Sequence, residues 1–257
     1  MRSKYILIVK DRVLNDVVSK RYTIKMAKTE EEVSEALKLR YEVFNSELGR
    51  GFAADREKEK DQYDDQSHHL IVIDNNSDEV VGTYRLQTYE QANPGNGFVS
   101  DMRFHLDQFP DGVLRKGVEV GRACIHKDHR KGRVLFLLWK GFAGYLTHFH
   151  KRYLFGYAAF QTTDASVMMN TYLHLKEKGK VHPDINLSPR KPYQFNVTGE
   201  VSANGETDIP PLFQNYLDVG CYVCSTPSFD RELSLGHCMI LLDLKDISDR
   251  TRKLFFG

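Results

Sequence analysis

Three separate segments of this chain place charged residues inside otherwise apolar runs, and each charge is of a type that handles protons or anions. Arg40 and Phe44 lie four apart in a helical pattern and therefore share a face. Arg85 interrupts Val80-Val81-Gly82-Thr83-Tyr84-Arg85-Leu86, and Glu119 and Arg122 interrupt Val118-Glu119-Val120-Gly121-Arg122-Ala123-Cys124. A charge in a central strand is costly unless it is paired or faces a cleft. A partly desolvated Glu suits proton acceptance, and the planar fork of Arg suits a carboxylate. For any one of these residues a structural ion pair is the better explanation; three such segments together favour a site.

The elements that must carry these residues can be read in order. Tyr22–Ala27 alternates as a strand. Thr29-Glu30-Glu31-Glu32 fits a capping box, opening a helix to about Leu48 with Val33, Leu37, Tyr41 and Phe44 on one stripe. The charged run Asp55–Asp65 reads as a loop, and His69–Ile73 and Glu79–Thr88 read as strands joined by a turn. Val118–Ile125 reads as a strand, Gly132–His150 as an apolar helix, and Tyr153–Phe160 as a strand followed by a helix beginning near Asp164. Six of the eight prolines fall after residue 180, which predicts a loop-rich stretch over Lys180–Pro211. Pro211–Val219 is then expected to be helical, with Cys221–Ser225 and His237–Leu242 as closing strands. This order predicts an α/β fold with a largely antiparallel, twisted central sheet flanked by helices. The expected organisation is an N-terminal segment over 1–21 and a single domain over 22–257 with an extension from about 180.

Composition excludes several classes. The chain has 257 residues, 41% hydrophobic and 28% charged, which is globular rather than disordered. A net charge of +1 argues against a surface built throughout for nucleic acid. The longest apolar stretches, Tyr5–Val9, Val134–Trp139 and Met239–Leu242, fall short of the roughly 18 residues that a membrane-spanning helix needs. With no cleavage-site pattern and only four cysteines, the expectation is a cytoplasmic protein with free thiols. No nucleophile elbow, zinc-protease motif or P-loop is present. The Asp61–Asp65 run fails as a calcium loop, with Gln66 where Gly is needed and Val72 where Glu is needed. Cys221, Cys224, His237 and Cys238 have poor zinc spacing, so no metal is expected.

Taken in succession, Leu39-Arg40-Tyr41-Glu42-Val43-Phe44, Asp61-x-x-Asp64, Val80–Leu86 and Glu119-Val120-Gly121-Arg122 resemble the motif series of the autoinducer-synthase-like branch of the GNAT acyltransferases. Within that branch the chain most resembles the amino-acid N-acyltransferases that make ornithine lipids or N-acyl glycines. Gly97–Leu106, Phe155–Asp164 and Pro210–Val223 resemble that subfamily's later motifs. The resemblance implies a GNAT-like fold. It also implies transfer of a long-chain acyl group, 3-hydroxylated, from acyl carrier protein to the amine of an amino acid such as ornithine or glycine. The nearest enzyme alternative is a homoserine-lactone-type signal synthase using S-adenosylmethionine. Against that alternative, the Trp expected after the first helix is absent from Gly49-Arg50-Gly51-Phe52, where only Phe52 stands nearby. An alternative of another class is a non-catalytic acyl-carrier or lipid-binding module.

On this resemblance Glu119 is the proton acceptor for the attacking amine and Arg122 its catalytic neighbour. Strict alternation puts the two on opposite faces, so a shared cleft requires a bulge at Val120-Gly121. Arg40 and Arg85 would clamp the amino acid's carboxylate beside Phe44, while Asp61 and Asp64 would hold its ammonium or order the loop. Donor binding would fall to Cys124, Arg130, Lys131, Gly132 and Arg133, where a turn precedes a helix whose N-terminal amides suit a phosphate. Val134 replaces the small residue expected there, which favours the phosphopantetheine of acyl carrier protein over coenzyme A as co-substrate; no permanently bound cofactor is expected. Arg115–Arg152 holds ten Lys/Arg and two acids, making it +8 and the remainder −7. That patch suits an acidic carrier protein, and peripheral contact with anionic lipid at the inner membrane face is weighed beside it. A nucleic-acid role is not expected.

Overall fold

The computed structural model describes residues 17–50, 54–55, 57–197 and 199–257. Most of the expected N-terminal segment, the apolar stretch Tyr5–Val9, and Phe52 lie outside the described residues. The fold is α/β, with a largely antiparallel sheet and flanking helices. By contact the chain forms two compact units, Met1–Gly97 with Val120–Lys151 and Lys253–Gly257, and Phe98–Glu119 with Arg152–Arg252.

The first unit contains β1 (Val17–Val18), β2 (Tyr22–Met26), α1 (Glu30–Tyr41), β3 (Ala54–Asp55), β4 (Lys58–Glu59), β5 (His68–Asp74), β6 (Glu79–Thr88) and α2 (Tyr89–Ala92). It also takes the Val120–Ile125 part of β7 (Gly117–Ile125) and all of α3 (Arg133–His148). The strands run β1, β2, β5, β6, β7, with antiparallel ladders from β1 through β6. Alternation in β2 buries Tyr22, Ile24 and Met26, while β5 and β6 are buried on both sides because helices cover them. α3 packs on β2, β5 and β6, and Gly141 makes that approach close: a Cβ there would lie 2.6 Å from Leu70 Cδ2 and 2.9 Å from Ile24 Cδ1.

The second unit holds the start of β7, then β8 (Tyr153–Ala159), α4 (Ala165–Glu177), α5 (Pro211–Val219), β9 (Tyr222–Val223), β10 (Ser228–Asp230), β11 (Leu235–Asp243) and most of α6 (Asp249–Phe255). Its strands run β7, β8, β11, β10, with β9 also on β11. The β7–β8 ladder is parallel, pairing Gly117 with Tyr153, Val118 with Leu154 and Glu119 with Phe155. α4 starts where expected: Asp164 accepts from the amides of Ser166 at 2.7 Å and Val167 at 3.2 Å.

The long elements match the sequence reading, and several short ones differ from it. Helix α1 ends at Tyr41 and continues as a π-helical turn over Glu42–Glu47. At its start Thr29 Oγ1 accepts from Glu32 N at 3.2 Å, but Glu32 reaches past the Thr29 amide to Lys28 N at 2.6 Å. The expected loop over Asp55–Asp65 contains the β3–β4 pair and a 3-10 turn at Asp64–Gln66. α2, β10 and α6 were not legible in the sequence, and the closing strand expected over Cys221–Ser225 shrinks to Tyr222–Val223.

Candidate active site

Six charged side chains of the first unit form one cluster. α1 supplies Arg40, β4 supplies Glu59, the following turn supplies Asp61 and Asp64, β6 supplies Arg85, and β7 supplies Arg122. Arg40 donates to Glu59 Oε2 from Nε at 2.5 Å, and to Asp64 from Nη1 at 2.6 Å and Nη2 at 3.1 Å. Arg85 Nη1 bridges Asp61 Oδ1 at 2.5 Å and Asp64 Oδ1 at 3.0 Å. Arg122 closes the ring, from Nε to Glu59 Oε1 at 3.0 Å and from Nη2 to Asp61 Oδ2 at 2.8 Å. Three cations thus meet three anions, and the Arg40, Glu59 and Asp64 side chains are each only 1% exposed.

Burial this deep is tolerable only because every charge has a partner. Burial raises the Asp64 pKa, but Arg40 and Arg85 outweigh it and hold the carboxyl well below the ordinary range. Burial also works against the Arg85 cation, yet Asp64 and Asp61 stabilise it more strongly. His69, with Nε2 3.3 Å from the Asp64 carbonyl oxygen, is pushed down to about 4, chiefly by burial, and is neutral near pH 7.

A cleft shared by Glu119 and Arg122 would need a break in alternation between them, and the backbone irregularity in this stretch falls on Arg122 itself. Its φ of +56° is left-handed, which costs a non-glycine residue about 1–2 kcal/mol. The ion pairs to Glu59 and Asp61 secure that conformation. Gly121, the residue expected to absorb the bulge, does not have a positive φ.

Glu119 lies in the second unit and is 5% exposed. Its Oε2 accepts from Val99 N at 2.9 Å and its Oε1 from Ser100 N at 2.7 Å, at the start of a 3-10 turn over Val99–Met102. Both carboxylate oxygens are thus occupied by backbone donors.

The donor-side residues divide. Gly132 (φ +86°) caps the 16-residue α3, with Lys131 and Arg133 exposed beside it. Arg130 is fixed, donating to Glu47 Oε2 at 2.7 Å and to Ile125 O at 2.9 Å. Cys124 is buried with Leu39, Val43 and Phe44, and burial raises its thiol pKa. Its thiol is therefore part of the packing under α1. Val134 is fully buried, its Cγ1 2.5 Å from where a Gly82 Cβ would stand.

Glu59 was missed because Glu57-Lys58-Glu59-Lys60 has the look of a solvated charge run. No local signal sets Glu59 apart from its neighbours; its burial follows from Arg40 and Arg122. Among the described residues no cluster of His, Cys, Asp or Glu could hold a metal ion, and all four cysteines are buried and unpaired.

Residues 39–140 match the family model for the acetyltransferase (GNAT) domain, a span that holds Arg40, Glu59, Asp61, Asp64, Arg85, Val99, Ser100, Glu119, Arg122 and the turn before α3. The chain is an acyltransferase, and its residues 39–140 are similar to the acetyltransferase (GNAT) domain. It is 28% identical to an L-ornithine N(alpha)-acyltransferase of Rhodobacter capsulatus over 91% of this chain and 94% of that protein. It is 26% identical to an L-ornithine N(alpha)-acyltransferase of Agrobacterium fabrum, covering 91% and 84%. Among solved structures, the AHL synthase LasI shares the fold with a TM-score of 0.54 at 12% identity, covering 93% of this chain and 96% of that one. The CoA-dependent acyl-homoserine lactone synthase BjaI, solved with SAM and isopentyl-CoA, gives 0.53 at 13% identity, covering 88% and 81%.

Proposed function

We propose that this enzyme moves a fatty acyl group, 3-hydroxylated, from the thioester of acyl carrier protein to the α-amine of an amino acid, with ornithine the first candidate. The observation that carries the reading is the likeness to ornithine N(alpha)-acyltransferases across 91% of the chain. In the reaction the amine nitrogen bonds to the thioester carbonyl carbon and the C–S bond breaks. Glu119 takes the proton that the amine sheds, and the departing thiolate is protonated to the free thiol. Backbone amides of β7 supply donors to the oxyanion. The ion cluster holds Arg122 in place, and Asp61, Asp64, Arg40 and Arg85 act through that frame.

The exposed cations Lys127, Lys131 and Arg133, with the first-turn amides of α3, form the face for the phosphate and the acidic carrier. Coenzyme A thioesters compete for the same turn. Among the described residues no helix is long and apolar enough to cross a membrane, and peripheral contact with anionic lipid is part of this proposal. The test is thiol release that depends on an added amino acid. Glu119→Gln should slow it about 100-fold or more if Glu119 is the base; near-normal turnover removes Glu119 from that role.

A further inference from the structure

The cluster's three arginines and three acids leave no cation free for an incoming carboxylate. Arg40 is committed to Glu59 and Asp64, Arg85 to Asp61 and Asp64, and Arg122 to Glu59 and Asp61. Nearby, Arg130 is committed to Glu47. Arg50 differs from all four: among the described residues no carboxylate pairs with it. The π-helical turn after α1 returns the chain over itself, so that Arg50 N donates to Phe44 O at 2.8 Å and its guanidinium lies 5.8 Å from the Phe44 ring centroid. Arg50 is half-buried, and both that burial and the charge of Arg122 act against its cation.

A half-buried guanidinium on an aromatic face, beside a cluster that is already neutral, is completed by one anion. We propose that Arg50 is a specificity residue that takes the α-carboxylate of the amino-acid acceptor, and this rests on the acyltransferase reading above. A guanidinium offers two parallel N–H donors to a carboxylate, and one added negative charge balances the site. The donor's phosphate has separate provision at the turn before α3, on another segment of the chain.

The experiment compares wild type, Arg50→Ala and Arg50→Lys in thiol release from 3-hydroxyacyl carrier protein, with ornithine and with ornithine carboxamide as acceptors. Wild type should prefer the free acid. Arg50→Ala should raise the ornithine KM about 10- to 100-fold with the carboxamide KM and the donor KM little changed. Arg50→Lys should recover part of the loss, and matching melting temperatures show that the variants fold. An unchanged ornithine KM and preference in Arg50→Ala overturns the assignment while leaving the enzyme reading intact, as does a rise confined to the donor KM. Wild type that releases thiol with no amino acid overturns the enzyme reading and this assignment with it.

Discussion

Arg40 meets Asp64 through two hydrogen bonds, Nη1 to Oδ1 at 2.6 Å and Nη2 to Oδ2 at 3.1 Å, with both side chains 1% exposed. Asp64 also receives Arg85 and, at its second oxygen, the Asp61 amide at 2.8 Å. Asp64→Asn should therefore leave two buried cations short of charge and destabilise the protein by about 3–5 kcal/mol. Urea unfolding measures this. A loss under about 1 kcal/mol would place Asp64 among ordinary surface pairs.

Arg122 is strained at φ +56° and held by two carboxylates. Arg122→Gly and Arg122→Ala both lose the ion pairs, but only Gly relieves the left-handed backbone. The Gly variant should be more stable than the Ala variant by about 1 kcal/mol. Equal stabilities, or the reverse order, would contradict a left-handed residue at this position.

The clearest parts of the sequence were those where one physical signal dominated. The apolar pattern of α3 and the alternation of β2 each set an element to within a residue or two, and Asp164 marked the start of α4. Arg85 and Arg122 stood out because charges inside apolar strands demand partners, and Arg40 because it shares a helix face with Phe44, whereas Asp61 and Asp64, in a charged loop, were singled out only by the family resemblance. Their pairing pattern was not legible, since it depends on Glu59, whose burial arises only when α1 and β7 bring arginines to it. The π-helical turn was equally hidden: nothing in Glu42–Glu47 signals i→i+5 bonding, so the return of Arg50 over Phe44 emerged only in three dimensions.

Two adjacent buried histidines make stability fall with acid. His68, hydrogen-bonded to Tyr145 Oη at 2.8 Å, and His69 are both pushed down to about 4, chiefly by burial. Between about pH 6.5 and pH 4 the unfolded chain binds protons that the folded one refuses, so stability is lost as pH falls through that window. The loss is at most about 3 kcal/mol for each histidine. Asp64 contributes in a lower window, since its depressed carboxyl favours folding until pH falls below the ordinary carboxylate range. Melting temperature from pH 7 to pH 4.5 should drop steadily in wild type and less steeply in His69→Gln. A flat wild-type profile would contradict neutral burial of these histidines.

Gly141 marks a close approach of α3 to the sheet. Gly141→Ala gains helix propensity of up to about 1 kcal/mol but drives a methyl to 2.6 Å from Leu70 and 2.9 Å from Ile24. The overpacking should win, for a net loss of about 1–2 kcal/mol in chemical denaturation. A stabilised variant would mean that α3 can shift away from β5 without penalty.

The most direct measurement of the central claim is product mass and thiol release when the purified protein meets 3-hydroxyacyl carrier protein and a panel of amino acids that includes ornithine, glycine and S-adenosylmethionine. The predicted result is free thiol that appears only with a suitable amino acid, with a product whose mass is acceptor plus fatty acid less one water. Thiol release that requires S-adenosylmethionine, or none with any acceptor, would contradict it.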